Sequence, residues 1–192
     1  MAAILLAAGF SRRFGSQKLL ARLPDGRYVV EAAANNLLAG AGSVIAVTGE
    51  DEQLMRVLGD CGCQVVVNAD AEAGMGTSIS AGVRTSADAD GWLIALGDMP
   101  WIRPATIARV RDALLDDPGI VVPTFDGLRG HPVAFDRGFG DELMALRGDR
   151  GARSVVAAHS GRLTLLPVDD AGVLADIDIP DDLKRKFPSH PR

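Results

Sequence analysis

The opening of the chain constrains its fold more than any other stretch. Ala2–Ala8 is an unbroken apolar run that empties into a glycine-flanked loop, Gly9–Gly15, carrying Arg12 and Arg13, with Lys18 just beyond. A short continuous apolar segment bounded by glycine reads as a strand buried on both faces. A loop leaving such a strand lies at its carboxyl end, where open α/β sheets place their ligands. Small residues let backbone N–H groups approach a phosphate, and two arginines and a lysine supply charge to hold it. The loop is not a Walker A sequence, because Ser16 and Gln17 separate Gly15 from Lys18, and it is not G-x-G-x-x-G. A surface turn with solvated cations is the competing reading; the position directly after the first buried strand favours a triphosphate-cradling loop.

The rest of the first hundred residues alternates in type. After a turn at Asp25–Gly26, Val30, Ala33, Ala34, Leu37 and Leu38 share one helical face, stopped by Gly40 and Gly42. Strands are expected at 43–48, 65–68 and 92–96, with helices at 51–58 and, capped by Thr77, to about Arg84. Pro104 opens a further helix with Ile107, Val110 and Leu114 inside. Strands alternating with helices imply parallel pairing, hence a three-layer α/β/α sandwich. The C-terminal third is less regular. Strands are expected at 120–122, 132–135, 163–168 and 174–177, short helices at 141–146 and 152–158, and a last helix at 180–187 with Asp181 and Asp182 in its first turn.

At 192 residues and 47% hydrophobic, the chain suits one compact domain. A net charge of -5 argues against a basic nucleic-acid surface, while leaving room for a small anion gathered by local cations. Cys61 and Cys63 have no second pair with which to build a zinc site, so idle thiols in a reducing compartment are expected. No apolar run approaches the roughly 20 residues of a membrane span, and the Met1 end lacks a basic leader, so a cytoplasmic protein with no membrane partner is expected.

Several residues admit both a chemical and a structural role. Asp98, directly after the fourth strand, either binds a metal or hydrogen-bonds the turn beside Pro100. Asp176 and Asp178 flank Ile177; a carboxylate from here meeting Asp98 would give the sparse all-oxygen site that Mg²⁺ with bound phosphates prefers, and Asp178 could equally cap the Pro180 helix. Gly74–Ser78 offers small residues and free amides at a helix start. Arg129 and His131 stand at a strand entrance, as a structural turn or as a contact to an acceptor substrate. His159 and His190 receive no role. The chain lacks G-x-S-x-G, H-E-x-x-H and any Cys–His context, which favours chemistry without a protein nucleophile.

Leu6-Ala7-Ala8-Gly9-x-Ser11-x-Arg13-x-Gly15-x-x-Lys18 resembles the N-terminal motif of the MobA-like nucleotidyltransferases, and its Ala-Ala-Gly version is most similar to the molybdenum cofactor cytidylyltransferases (MocA-like). Asn68, GMGTSISAG at 74–82, Gly97-Asp98-Met99-Pro100, Arg129-Gly130-His131-Pro132, GDRGAR at 148–153 and DIDIPDDL at 176–183 extend the likeness along nearly the whole chain. The resemblance implies a Rossmann-like, mostly parallel sheet of the nucleotide-diphospho-sugar transferase type. It implies a single nucleotidyltransferase domain over 1–192, residues 1–100 taking the nucleotide and 101–192 the acceptor. Ala7, Ala8, Gly9 and Ser78, with Asn68 and Gly74, would surround base and ribose; Arg13 and Lys18 would hold the triphosphate, and Arg129 and His131 the acceptor. Asp98 and Asp178 would bind Mg²⁺, making Arg13, Lys18 and Asp98 the catalytic set. Ile179 stands where the family usually has Thr, which removes an N-cap hydroxyl but no metal ligand. The implied reaction joins CMP from CTP to molybdopterin or its molybdenum form, with a molybdenum hydroxylase as the eventual recipient. GTP or a sugar-phosphate acceptor is the nearest rival, and a non-catalytic nucleotide-binding accessory protein the more distant one. A guanylyl enzyme is expected to carry Gly at the position of Ala8.

Overall fold

A computed structural model describes residues 1–9, 17–149 and 151–185. Its centre is strand β1 (Ala2–Ala7), which lies parallel between β2 (Val44–Thr48) and β4 (Gly91–Leu96); β3 (Gln64–Val67) continues parallel outside β2. Beyond β4 the pattern changes. β7 (Val133–Asp136) is inserted antiparallel between β4 and β5 (Ile120–Phe125), and β8 (Leu163–Pro167) runs parallel along the far edge of β5. The two-residue β6 (Leu128–Arg129) folds back antiparallel on the end of β5. The fold is therefore a Rossmann-like, mostly parallel three-layer α/β/α sandwich, as the alternation of elements implies.

The apolar run of β1 is buried on both sides because its residues alternate between two cores. Ala3, Leu5 and Ala7 join the cluster beneath α1 (Val29–Ala41), α2 (Glu52–Asp60) and α4 (Pro104–Asp116). Ile4 and Leu6 join the opposite cluster, with Ile79 and Val83 of α3 (Met75–Thr85), Leu143 of α5 (Gly140–Met144) and Val155 of α6 (Arg153–Ala158). α1 and α4 approach closely because Gly40 has no side chain: a Cβ there would lie 2.7 Å from that of Ile107.

Three local expectations change. The segment 174–177 is not a strand. Val173, Ala175 and Ile177 alternate in burial as a strand would, but a 3₁₀ turn covers Ala171–Leu174, and the backbone bonds go to loops, His131 N donating to the Val173 carbonyl and Ile177 N to that of Asp98. Thr77 does not cap α3. Gly74 holds that position with φ +105°, and the Thr77 hydroxyl sits in the first turn, within reach of the Gly74 and Asp70 carbonyls. The last helix is a 3₁₀ turn over Pro180–Lys184, capped by neither Asp178 nor Ile179. The Asp182 carboxylate instead accepts from both of their amides at 2.9 Å, which pins the entry to the turn from inside it.

Asp170 ties the C-terminal segment to α4. It is buried and accepts from Arg103 N (2.9 Å), Thr106 Oγ1 (2.7 Å) and Gly172 N (3.1 Å). Asp170→Ala strands these donors, so it is expected to cost about 2 kcal/mol and lower Tm by roughly 4–8 °C, read by calorimetry. The cysteines are free; burial, then the neighbouring Cys61, pushes the Cys63 thiol up to about 11, as an idle thiol requires. His159 bonds Glu142 and sets its ring edge-on to Phe139, a packing role. No helix among the described residues is long and apolar enough to cross a membrane.

Candidate active site

The carboxyl ends of β1 and β4 lie side by side, joined by the Gly97 amide donating to the Leu6 carbonyl. Ala7 is buried at the end of β1, Ala8 half-buried and Gly9 exposed, next to Gly97 and Asp98 at the end of β4. Arg13, like the rest of 10–16, lies outside the described residues, and so does His190. After Gln17 comes a 3₁₀ turn, Lys18–Leu20, anchored by buried Leu19. This anchoring directs Lys18 across the sheet edge.

There Lys18 meets residues 80 and 160 positions away. Its Nζ lies 2.6 Å from Asp98 Oδ2, 2.9 Å from the Ile177 carbonyl and 3.4 Å from Asp178 Oδ1. Burial by itself would lower the Lys18 pKa, but the charges and hydrogen bonds of Asp98 and Asp178 outweigh it and hold the ammonium above the ordinary lysine range. Asp176 stands in the same field. Burial first, then repulsion from Asp178, raises its carboxyl above the usual carboxylate range. Of the two late aspartates, Asp178 is the one within ion-pair distance of Lys18. One ammonium facing two carboxylates leaves a net negative charge. Three oxygens converging on one cation make a hard donor set of the kind Mg²⁺ and its relatives prefer. Among the described residues no cluster of three or more His, Cys, Asp or Glu could hold a metal ion. The set therefore fits a hard cation that shares its remaining positions with water and substrate phosphates.

Asn68, Thr77 and Ser78 meet between the end of β3 and the start of α3. The Asn68 amide donates to Thr77 Oγ1 (2.8 Å) and Ser78 Oγ (3.0 Å), while its Oδ1 accepts from Asp70 N. These buried side chains bond one another and shape the loop. Gly74 and Gly76 have a packing reason to be small. A Cβ on Gly74 would lie 2.3 Å from the Gly148 carbonyl carbon, and one on Gly76 2.8 Å from Arg147 N. The amide of Gly76 is not free, since it donates to the Gly148 carbonyl.

A cavity of about 580 Å³ opens beneath α3, β4, β7 and α6. Leu6, Ile94, Leu96 and Val133 give it apolar walls, and Arg129, His131, Asp149 and Arg153 supply polar groups. Its size is that of a small-molecule site. The His131 ring is held uncharged at neutral pH, its pKa brought down to about 4 by burial and then by the Arg153 charge, against the pull of Asp98. Arg153 carries no distinguishing signal in the sequence, although it ends the GDRGAR stretch; the chain offers no local sign that α6 faces the cavity. The Ile177 carbonyl is likewise invisible there, because a backbone atom leaves no residue-type signal.

Residues 3–163 match the MobA-like NTP transferase domain family. Rv0371c from Mycobacterium tuberculosis H37Rv is 31% identical with a TM-score of 0.80, covering 94% of this chain and 95% of that one. A manganese complex of the same protein superposes at a TM-score of 0.78 with 29% identity, covering 94% of each chain. A nucleotidyl transferase from Methanothermobacter thermautotroptrophicus is 25% identical with a TM-score of 0.80, over 94% of this chain and 93% of that one. Nicotine blue oxidoreductase of Paenarthrobacter nicotinovorans is 28% identical over 95% of this chain and 94% of its own length.

Proposed function

This chain belongs to the MobA-like NTP transferase family, and from that premise we propose that it transfers CMP from CTP to the terminal phosphate of molybdopterin or its molybdenum form, releasing pyrophosphate. The observation that carries the reading is the Lys18 ammonium set between Asp98 and Asp178 at the carboxyl end of β1 and β4. A phosphate-binding cation and two hard carboxylates at one point are what nucleotidyl transfer asks of a protein.

In this reading residues 1–100 carry the nucleotide and 101–192 the acceptor, within one domain. Ala7, Ala8 and Gly9 form the wall against base and ribose, completed by the loop that Asn68, Gly74 and Ser78 hold in shape. Arg13 and Lys18 bind the triphosphate. Asp98 and Asp178 hold Mg²⁺, which when bound neutralises charge on the phosphate oxygens; the manganese complex of Rv0371c supports a divalent ion here. Arg129 and His131 face the acceptor. Its phosphomonoester has a second pKa near roughly 6, so it is largely dianionic at neutral pH. An acceptor oxygen attacks the α-phosphorus, the bond from that phosphorus to the bridging oxygen breaks, and pyrophosphate leaves with the electron pair. The chain supplies alignment and charge, and needs neither a general base nor a covalent intermediate.

Ala8 supports CTP over GTP. The two free thiols suit the cytoplasm, where a molybdenum hydroxylase would take the product. Incubation with each of the four NTPs, Mg²⁺ and molybdopterin, followed by mass analysis, is expected to give the CMP adduct and pyrophosphate. A product with GTP in place of CTP overturns the base assignment. No product with any NTP makes the chain a nucleotide-binding accessory instead.

A further inference from the structure

We propose that His131 is the positioning residue for Asp98: the His131 Nδ1–H donates to Asp98 Oδ1 in the working site, leaving Oδ2 for the cation. The inference rests on the reading of Asp98 as a metal ligand, and it goes beyond the role of His131 as an acceptor contact.

Three independent features bring the two side chains together. First, both atoms lack a partner. Asp98 Oδ1 and His131 Nδ1 are buried and make no hydrogen bond among the described residues; native proteins rarely leave such groups unpaired. Second, β4 and β7 pair antiparallel with Ile94 opposite Val133, so the chain leaves β4 towards Asp98 at the end where it enters β7 from His131, and the Asp98 charge acts on the His131 ring there. Third, one segment holds both backbones. His131 N donates to the Val173 carbonyl at 2.9 Å, and Ile177 N to the Asp98 carbonyl at 3.0 Å. Gly130 lets the chain approach this rail, since a Cβ there would lie 2.4 Å from the Val173 carbonyl oxygen.

The chemistry fixes the direction of the bond. An ionised carboxylate only accepts, and a neutral imidazole carries one N–H, so pairing with Asp98 puts that hydrogen on Nδ1 and leaves Nε2 bare. A carboxylate whose second oxygen is tethered cannot swing towards Lys18 and away from the metal, the part that outer-shell histidines and carboxylates play for each other at metal sites.

The test uses Mn²⁺ as the probe in the presence of CTP, with free Mn²⁺ read by electron paramagnetic resonance. His131→Leu is expected to weaken Mn²⁺ binding by about 10–100-fold and to lower kcat similarly, with the KM for CTP little changed. His131→Asn, which can place an N–H where Nδ1 stands, is expected to restore most of the Mn²⁺ affinity. Asn as impaired as Leu, or Leu binding Mn²⁺ like the parent, overturns the pairing. Nitrogen NMR of the parent protein with Mg²⁺ and CTP gives an answer even where a variant fails to fold: the Nδ1–H tautomer supports the bond, and the Nε2–H tautomer overturns it. Asp98→Asn separates the two levels. If that variant keeps Mn²⁺ affinity, the functional reading of Asp98 fails and the pairing falls with it. If it loses affinity while His131→Leu does not, the pairing alone fails.

Discussion

Asp98→Asn is expected to abolish nucleotidyl transfer while the fold survives. In the proposed site, loss of the carboxylate removes one of two hard ligands and half of the negative charge facing Lys18, so kcat should fall by about 10³-fold or more, on the order of 4 kcal/mol of transition-state stabilisation. Stability should change far less. The side chain is 20% exposed, the amide keeps its shape, and Lys18 retains the Ile177 carbonyl and the Asp178 carboxylate. A Tm within a few degrees of the parent beside lost turnover, measured with CTP and the acceptor, is the expected pair of results. Unimpaired turnover removes Asp98 from the metal site.

Lys18→Ala should be the second largest lesion. In the proposed reaction the ammonium is a charge-assisted donor to the phosphates, and its loss is expected to cost roughly 2–4 kcal/mol in the transition state, or about 30–1000-fold in kcat/KM for the NTP. The variant also leaves Asp98 and Asp178 facing each other without the cation between them. Divalent ions should therefore raise the Tm of Lys18→Ala more than that of the parent. Lys18→Arg should recover little, because a planar guanidinium cannot place one compact charge among three oxygens that converge on Nζ. A negligible rate change in Lys18→Ala moves the triphosphate elsewhere.

The first half of the fold was legible because burial there is written into local period. Ala2–Ala7 is apolar without a break and is buried on both faces; Ile107, Val110 and Leu114 recur at helical spacing and form the inner stripe of α4. The same logic misleads at 174–177. Val173, Ala175 and Ile177 alternate in burial, yet the segment lies under loops rather than beside a strand, and its amides and carbonyls serve His131 and Asp98. Asp182 reveals a second blind spot. Sequence pattern points to a cap at the residue before the turn, while the chain caps from inside it, through a carboxylate that reaches back to the amides of Asp178 and Ile179. The glycines of 74–76 likewise carry a packing demand from Gly148 and Arg147 that no neighbour in sequence announces.

By itself the sequence determined the element types of the first half, the parallel αβ alternation through β4, and a short list of groups able to bind phosphate or a hard cation. Strand and helix are decided within a dozen residues, by which side chains must leave water together. Only the tertiary structure decided that β7 enters antiparallel between β4 and β5, that Asp178 rather than Asp176 reaches Lys18, and that His131 and Asp98 each present an unpaired polar atom. Those outcomes depend on crossovers that bring positions 80 and 160 residues away to one sheet edge, and local periodicity carries no record of which distant edge a segment will meet.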